Sequence, residues 1–499
     1  MKLPHSLRNW TSFLGALLAT FSLTLILFLF VLNLVFDAGS SYLGLFIYII
    51  LPVFLVIGLV LIPVGMLFKQ KKKEITDVSQ EKDWPVVDFN DKGIRNASII
   101  FLLGTVVIVI LSAVGSYEAF HYTESVQFCG TLCHKVMEPE YVAYHQSSHE
   151  RVKCVECHVG SGADWYVKSK LSGLYQVYSV TFNKYSRPIE TPIHNLRPAR
   201  ETCEECHWPQ KFYDHKVKMK RSYLANEETT EWDIQMLMKT SASYNAHGLA
   251  EGIHWHINPE VKIEYIAGSA NLESIPWVRY TNLKTGEVYT YIDTDSDNGS
   301  VVWDESKAKV MDCIDCHNRP SHNYQPPQNF IDDAITAGKI SRDIPDIKMA
   351  LMQVLVQDFE SKDSAFAQID FQVRDYYDLM YPEVLEEKEE LLKLAIAAAQ
   401  EGYSRNIFPY MKVKWSAYPN HLGHLETPGC YRCHNDRHKT TAGRVISRDC
   451  NLCHEIKAQG IPGMMEYAYG NGSLEFIHPE DIGDAWKTRF CSDCHYTLY

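Results

Sequence analysis

The chain has 499 residues, a formal net charge of -13 and 46% hydrophobic side chains. That length leaves room for two to four domains. The acidic balance is not the signature of a nucleic-acid partner, and 14 cysteines remain to be explained.

Three apolar stretches come first. Residues 11–36 carry no ionisable group; they are long enough to cross a bilayer and too long for a signal-peptide core. After a polar turn, residues 42–68 form a second span holding Pro52 and Pro63, and residues 97–116 form a third. Lys2 and Arg8 precede the first span; Lys69, Lys71, Lys72, Lys73 and Arg95 lie between the second and third. Positive charge stays on the cytoplasmic side. The N-terminus is therefore expected inside, and everything after residue 117 outside, on the periplasmic face of a bacterial inner membrane. No span contains His, Asp, Glu, Lys or Arg. That leaves no imidazole to ligate a metal within the bilayer and no proton path across it.

Beyond the third span the cysteines fall as seven pairs: Cys129 and Cys133, Cys154 and Cys157, Cys203 and Cys206, Cys313 and Cys316, Cys430 and Cys433, Cys450 and Cys453, Cys491 and Cys494. Each pair is followed at once by a histidine: His134, His158, His207, His317, His434, His454 and His495. Disulfides or zinc sites give no reason for a histidine at one offset every time. A C-x-x-C-H run does: two thiols attach a c-type haem, and the histidine takes one axial position on its iron. The first pair has three intervening residues instead of two. Seven covalently bound haems are the expected cofactors.

The chain divides around these motifs. Residues 1–117 are a membrane anchor. Residues 118–225 hold the first three motifs, with an extended, proline-rich connector at 185–200. Residues 226–325 hold the fourth motif, and alternation in 275–281 and 287–292 predicts a β-hairpin. Residues 326–420 read as helices; the segment 382–402 has Pro near its start and Gly at its end, with Leu385, Leu391, Leu392 and Ile396 as its buried stripe. Residues 421–499 carry three motifs and too few apolar side chains for an ordinary core, so the porphyrins are expected to supply it.

Seven irons need further axial ligands. Closeness to the motifs selects His149, His322, His424, His438 and His478, with His256 or His254 completing six. His121, His145, His194, His215, His247 and His421 rank lower. Six distal histidines leave the first haem different, and Met137, a soft thioether near His134, suits it.

These residues resemble the NapC/NirT family of membrane-anchored quinol-dehydrogenase cytochromes. The resemblance is firmest over about 94–208: the third span, Phe128, Cys129, Cys133, His134, Met137, Tyr141, Ser148, His149, the second motif, and Lys168 to Gly173. The seven motifs and long C-terminal part are similar to the heptahaem inner-membrane quinol-oxidising cytochromes of metal-reducing bacteria. The resemblance implies a mainly α multihaem cytochrome c with three transmembrane helices, and a periplasmic haem-packed domain with a small β-hairpin region. It implies menaquinol oxidation at haem 1 and electrons passed to periplasmic multihaem cytochromes, in anaerobic respiration or extracellular electron transfer. In the family a methionine ligates the first haem and a lysine after the second motif binds quinol. These roles map onto Met137 and onto Lys170 or Lys168, leaving His134 or Met137 as the iron ligand. The family's acid a few positions later is replaced here at Gln176, with Glu118, Glu124 or Asp164 as substitutes. Membrane lipid is a further partner, and the extra hairpin 11–68 leaves room for a second copy or a membrane partner subunit. Two other classes stay open: a relay subunit of a larger membrane complex, and a terminal reductase of a small oxyanion.

Overall fold

The computed structural model describes residues 10–36, 50–74, 89–90, 92–160, 163–191, 198–208, 212, 215–241, 252–294 and 303–496. The turn after residue 36, most of the loop before the third span, and the middle of the proline-rich connector lie outside the described residues. The chain divides into two compact units: Met1–His134 with Lys153–Val155, and Lys135–Val152 with Glu156–Tyr499.

The first unit is helical: α1 (Trp10–Phe36), α2 (Leu51–Glu74), α3 (Lys92–Thr123) and α4 (Val126–Thr131). α1 and α2 pack antiparallel through small residues. Ser12, Gly15, Ala19 and Ser22 are buried on α1, and Leu51, Gly58 and Gly65 on α2. A Cβ on Gly15 would sit 2.7 Å from the Gly58 carbonyl oxygen, and one on Gly58 would sit 2.6 Å from the Ala19 nitrogen. Ser12 Oγ donates to the Ile62 carbonyl at 2.8 Å. Close backbone approach of this kind holds helices together in lipid, where no hydrophobic force acts between them. Among the described residues two stretches are long and apolar enough to cross a membrane, Trp10–Leu29 and Leu102–Thr123. The expected second span is shorter here: its described apolar part is Leu51–Gly65, and 42–49 lie outside the described residues. α3 runs past residue 116 because no breaker precedes Glu124. Ser125 then caps α4, its Oγ accepting from Phe128 N at 3.0 Å.

The second unit mixes helix and sheet, which corrects the expectation of a mainly α fold with one small hairpin. Four short helical segments come first: α5 (His134–Tyr144), α6 (Cys154–His158), α7 (Ala163–Thr181) and α8 (Ala199–Cys203). The strands are β1 (His215–Tyr223), β2 (Glu231–Lys239), β3 (Val261–Ile266), β4 (Trp277–Asn282), β5 (Val288–Asp293), β6 (Lys309–Val310), β7 (His438–Lys439), β8 (His454–Gly460) and β9 (Glu466–Tyr467). They form two antiparallel sheets, β1-β2-β8-β9 and β6-β3-β4-β5-β7. The hairpin β4–β5 turns through Gly286 at φ +76°, a conformation that favours glycine. β1 and β2 escaped the sequence reading because lysines at alternate positions look like a solvated segment.

After α9 (Cys313–Cys316) come five helices: α10 (Pro327–Thr336), α11 (Ile347–Leu355), α12 (Lys362–Met380), α13 (Pro382–Glu387) and α14 (Glu389–Asn406). Ile331, Ile344, Leu351, Ile369, Tyr377 and Leu392 are fully buried among them, each worth about 1.5–3 kcal/mol of burial. The helix expected over 382–402 is broken at Lys388, which donates to the Asp343 carbonyl at 2.6 Å. α14 also runs on past Gly402 instead of ending there. A Cβ at Gly402 would come within 2.3 Å of the Phe330 ring, so this glycine serves helix packing. The chain closes with α15 (Ala485–Thr488) and α16 (Cys491–His495). From residue 421 onward, the buried apolar side chains are Tyr431, Ile456 and Ala458 among the described residues, far too few for a core.

Candidate haem-binding cavity

What stands in place of that core is a cavity of about 2510 Å³ in the second unit. Its walls are one face of the first sheet (Trp232, Ile234, Met236, Met238, Ile456), one face of the second (Ile263, Val278, Tyr280, Tyr291) and α11 (Met349, Met352). Every cysteine from Cys157 to Cys494 lines it. No disulfide joins any of the fourteen cysteines.

Six motif histidines each face a second histidine. The ring centroids are 6.2 Å apart for His158 and His322, 6.1 Å for His207 and His149, and 6.2 Å for His317 and His254. They are 5.9 Å apart for His434 and His256, 6.2 Å for His454 and His424, and 6.2 Å for His495 and His478. Metal–imidazole bonds of roughly 2 Å, plus about 1 Å from each nitrogen to its ring centre, put two axial imidazoles about 6 Å apart. The described residues hold no group of three or more His, Cys, Asp or Glu able to bind a metal ion. A site that supplies two imidazoles suits an iron that brings its other four ligands in a porphyrin.

The polar surroundings set the rings for that task. Nδ1 of His149 contacts the Pro320 carbonyl at 3.1 Å, His254 that of Thr240 at 2.7 Å, His256 that of Ile253 at 2.9 Å, and His322 that of Glu140 at 3.1 Å. His434 contacts the Ser447 carbonyl at 2.9 Å and His478 that of Glu480 at 2.9 Å. A carbonyl only accepts, so in the first five Nδ1 carries the proton and Nε2 keeps a lone pair; Nδ1 of His478 also accepts from Glu480 N at 3.2 Å. Burial, with the facing imidazole next, pushes His256, His322 and His424 down to about 4. They stay neutral, the ligand form.

The pairings differ from those that sequence closeness suggests. His149 precedes the second motif and faces the third motif's histidine. His322 follows the fourth motif and faces the second's. His254 and His256 both face motif histidines, from opposite sides of one 3-10 turn at Ile253–Ile257. Phe212 stacks on His254 at 4.3 Å. His438, placed among the distal set by sequence, faces none: it is fully buried, with Nδ1 on Asn435 Oδ1 at 3.0 Å and Nε2 on the Ile275 carbonyl at 2.7 Å. A nitrogen held by a carbonyl has no lone pair to offer, and His254 stands in its place. Among the lower-ranked histidines, His421 is buried against Arg432, His121 packs on Tyr117 and His145 on Tyr141. His194 and His247 lie outside the described residues.

Several motifs touch one another. Cys129 hydrogen-bonds Cys154 and lowers its thiol pKa to about 7. Cys203 is hydrogen-bonded to Cys313, and Arg200 N donates to Asp312 at 3.1 Å. Arg432, inside the fifth motif, donates to the Asp315 carbonyl inside the fourth at 2.7 Å. Tyr431 of the fifth motif packs on Phe490 beside the seventh at 5.2 Å, with Arg448, just before the sixth, 4.9 Å from the Phe490 ring. Sequence reasoning missed Asp315, whose buried carboxylate accepts from Tyr265 OH at 2.5 Å and is pushed up by burial.

The first motif offers less. His134 opens α5, but its side chain lies outside the described residues. Met137 is half-buried on α5. Lys168, Lys170 and Gln176 all lie on α7. Lys168 Nζ sits 4.5 Å over the Trp165 ring, Lys170 is half-buried, and Gln176 reaches Ser172 Oγ at 3.4 Å. Lys168 and Lys170 are two residues apart on a helix and so lie on different faces. α7 also shows solvent an apolar stripe, Leu171, Leu174, Tyr175, Tyr178 and, just beyond its end, Phe182.

Comparison with known proteins fits this chemistry. The NapC/NirT cytochrome c family, N-terminal region, matches residues 92–192. The chain is 44% identical over 488 residues to the cytochrome c-type protein ImcH of Geobacter sulfurreducens, covering 98% of this chain and 95% of that protein. It is 28% identical over 117 residues to the cytochrome c-type protein NrfH of Wolinella succinogenes, covering 23% of this chain and 64% of that protein. No solved structure matches the chain.

Proposed function

The chain belongs to the NapC/NirT cytochrome c family, and from that premise we propose that it oxidises menaquinol beside its first motif and delivers electrons to periplasmic cytochromes. A membrane multihaem cytochrome that works in electron transfer, with covalently bound haem, is what the family gives. Seven haems, one per motif, and a periplasmic cavity above an inward-facing N-terminus are the finer reading. Haem supplies reversible one-electron chemistry at an iron held between two axial ligands.

The observation that carries the reading is the set of six facing histidine pairs, one for each motif from the second to the seventh. Those six would hold iron between two nitrogens, leaving no open position. The first motif stands apart, so a substrate is expected there. His134 or Met137 would ligate its iron. Lys170 or Lys168 would bind the quinol hydroxyl, with Gln176 where relatives keep an acid. The apolar stripe of α7 would lie in the outer interface, where an amphipathic helix settles and where quinol headgroups reside. Residues 11–36, 42–68 and 97–116 hold no Asp, Glu, Lys, Arg or His, and Glu118 and His121 come only at the end of α3 next to the first motif, so protons released from quinol would leave on the outer side.

The test is reduction of the purified, haem-loaded protein by a menaquinol analogue. Met137→Ala and Lys170→Ala should each slow that reduction while reduction by dithionite and the haem count stay unchanged. Normal rates in both variants would refute the placement.

A further inference from the structure

β1 carries four basic side chains, and the pleat separates them. Arg221 turns outward and is paired twice, with Glu231 at 2.8 Å and Asp233 at 2.8 Å. Lys216, Lys218 and Lys220 line the cavity. Their cross-strand neighbours on β2 are Met238, Met236 and Ile234, which line the cavity too and offer no charge. Among the described residues these three lysines make no ion pair. Asp332 and Glu426 lie within electrostatic range of Lys220, but Asp332 is held by Lys348 at 2.5 Å and Glu426 by Asn329 at 2.9 Å. Lys216 and Lys218 are exposed and Lys220 is half-buried over this apolar floor, so their ammonium groups are available to an anion seated beside it.

The sheet shows where such an anion belongs. Met238 stands opposite Lys216 on one side and opposite His454, the sixth motif's histidine, on the other. One row thus runs from Lys216 to His454 across two strand spacings, roughly 10 Å. Lys218 lies within electrostatic range of His454, and Lys220 within range of His424, which faces His454, and of His495 in the seventh motif.

We propose that Lys216, Lys218 and Lys220 form an anion-binding face for the porphyrin carboxylates carried at the sixth and seventh motifs, and that their charge raises the reduction potentials of those two centres. This rests on the reading that these motifs carry haem. Reduction removes one positive charge from iron, so nearby cations favour the reduced state. The centres farthest along the chain are thereby made better electron acceptors, which favours flow away from the first motif.

The experiment uses the full-length, haem-loaded protein. Mass mapping of the peptides holding Cys450–Cys453 and Cys491–Cys494 tests the haem reading by itself: unmodified peptides would sink that reading before any lysine is changed. Spectroelectrochemical titration then compares wild type with the triple variant Lys216→Gln, Lys218→Gln, Lys220→Gln. Two components of the curve should shift about tenfold toward the oxidised form, about 59 mV for one electron, with the haem count unchanged. The triple Lys→Arg variant should titrate like wild type, as should Arg221→Gln on the outward side of the strand. If the triple Gln variant loses haem, Lys218→Gln and Lys220→Gln singly should still show smaller shifts. Unmoved components in haem-replete variants, or an equal movement in Arg221→Gln, would overturn the proposal.

Discussion

The short turn holding His254 and His256 gives the sharpest test of the cavity. Each of these histidines faces a different motif histidine, His317 at 6.2 Å and His434 at 5.9 Å, so their effects should be separate and countable. With six facing pairs, His254→Ala should convert one of six low-spin centres to high spin. His256→Ala should convert a different one, and the double variant two. His438→Leu should convert none, although it is the more deeply buried side chain. It should instead destabilise the fold by about 1–3 kcal/mol, because the Ile275 carbonyl loses its partner, while Asn435 Oδ1 keeps the backbone N–H groups of Arg437 and His438. Quantitative electron paramagnetic resonance on haem-replete protein counts the spins, and thermal melts report stability. Loss of one low-spin centre in His438→Leu, or an unchanged count in either alanine variant, would refute the pairing.

Other expectations follow from packing and charge. Lys348 and Asp332 are a buried pair, and Lys348 also donates to the Tyr223 carbonyl at 2.5 Å, tying β1 to the helices. Lys348→Met should cost about 3–5 kcal/mol, whereas Lys348→Met with Asp332→Leu should come near wild type. Burial raises the Asp332 pKa, and Lys348 opposes that rise. Without the lysine the folded-state value climbs further above the unfolded value of about 3.9. A group with a raised folded pKa favours the fold at low pH, so thermal melts of the single variant should show a smaller deficit at pH 5 than at pH 8. Leu174→Glu with Tyr178→Glu should slow reduction by a menaquinol analogue in vesicles and leave reduction by dithionite unchanged; equal rates would remove α7 from the interface. Gly58→Leu would force a side chain into the Ala19 backbone, so α1 and α2 should separate, read as new protease sensitivity in the N-terminal hairpin of detergent-solubilised protein.

How much of this was legible in the sequence depended on whether the chemistry is local. Haem attachment needs two cysteines and a histidine side by side, so the motifs can be read from spacing alone. The facing histidine comes from elsewhere in the chain, and closeness to a motif does not say which motif it faces, as His149 and His322 both illustrate. His254 and His256 read as alternatives, yet two positions apart on a tight turn they point to opposite sides, a signal that spacing did contain. His438 stood near a motif and was spoken for by Asn435 and Ile275, which only the fold brings together. The first sheet stayed hidden because alternating Lys216, Lys218 and Lys220 read as a solvated segment; Lys216 and Lys218 are exposed, and all three line the cavity. Gly402 looked like a helix end because the ring of Phe330, which passes beneath it, is remote in sequence.

The crossed pairing also bears on the order in which such a chain matures. Once closed on iron, each facing pair is a reversible cross-link, and a cross-link closing a loop of about 100 residues removes unfolded-state entropy worth about 4.7 kcal/mol in the chain-entropy model. His158 cannot close until His322 has been made; in the other five pairs the facing histidine precedes the motif histidine in the chain. If that motif carries haem, its centre would therefore wait, half-ligated, for the segment that brings His322. Truncation between residues 158 and 322 would leave that centre open, whereas truncation between residues 322 and 430 would leave the pairs of the second, third and fourth motifs complete.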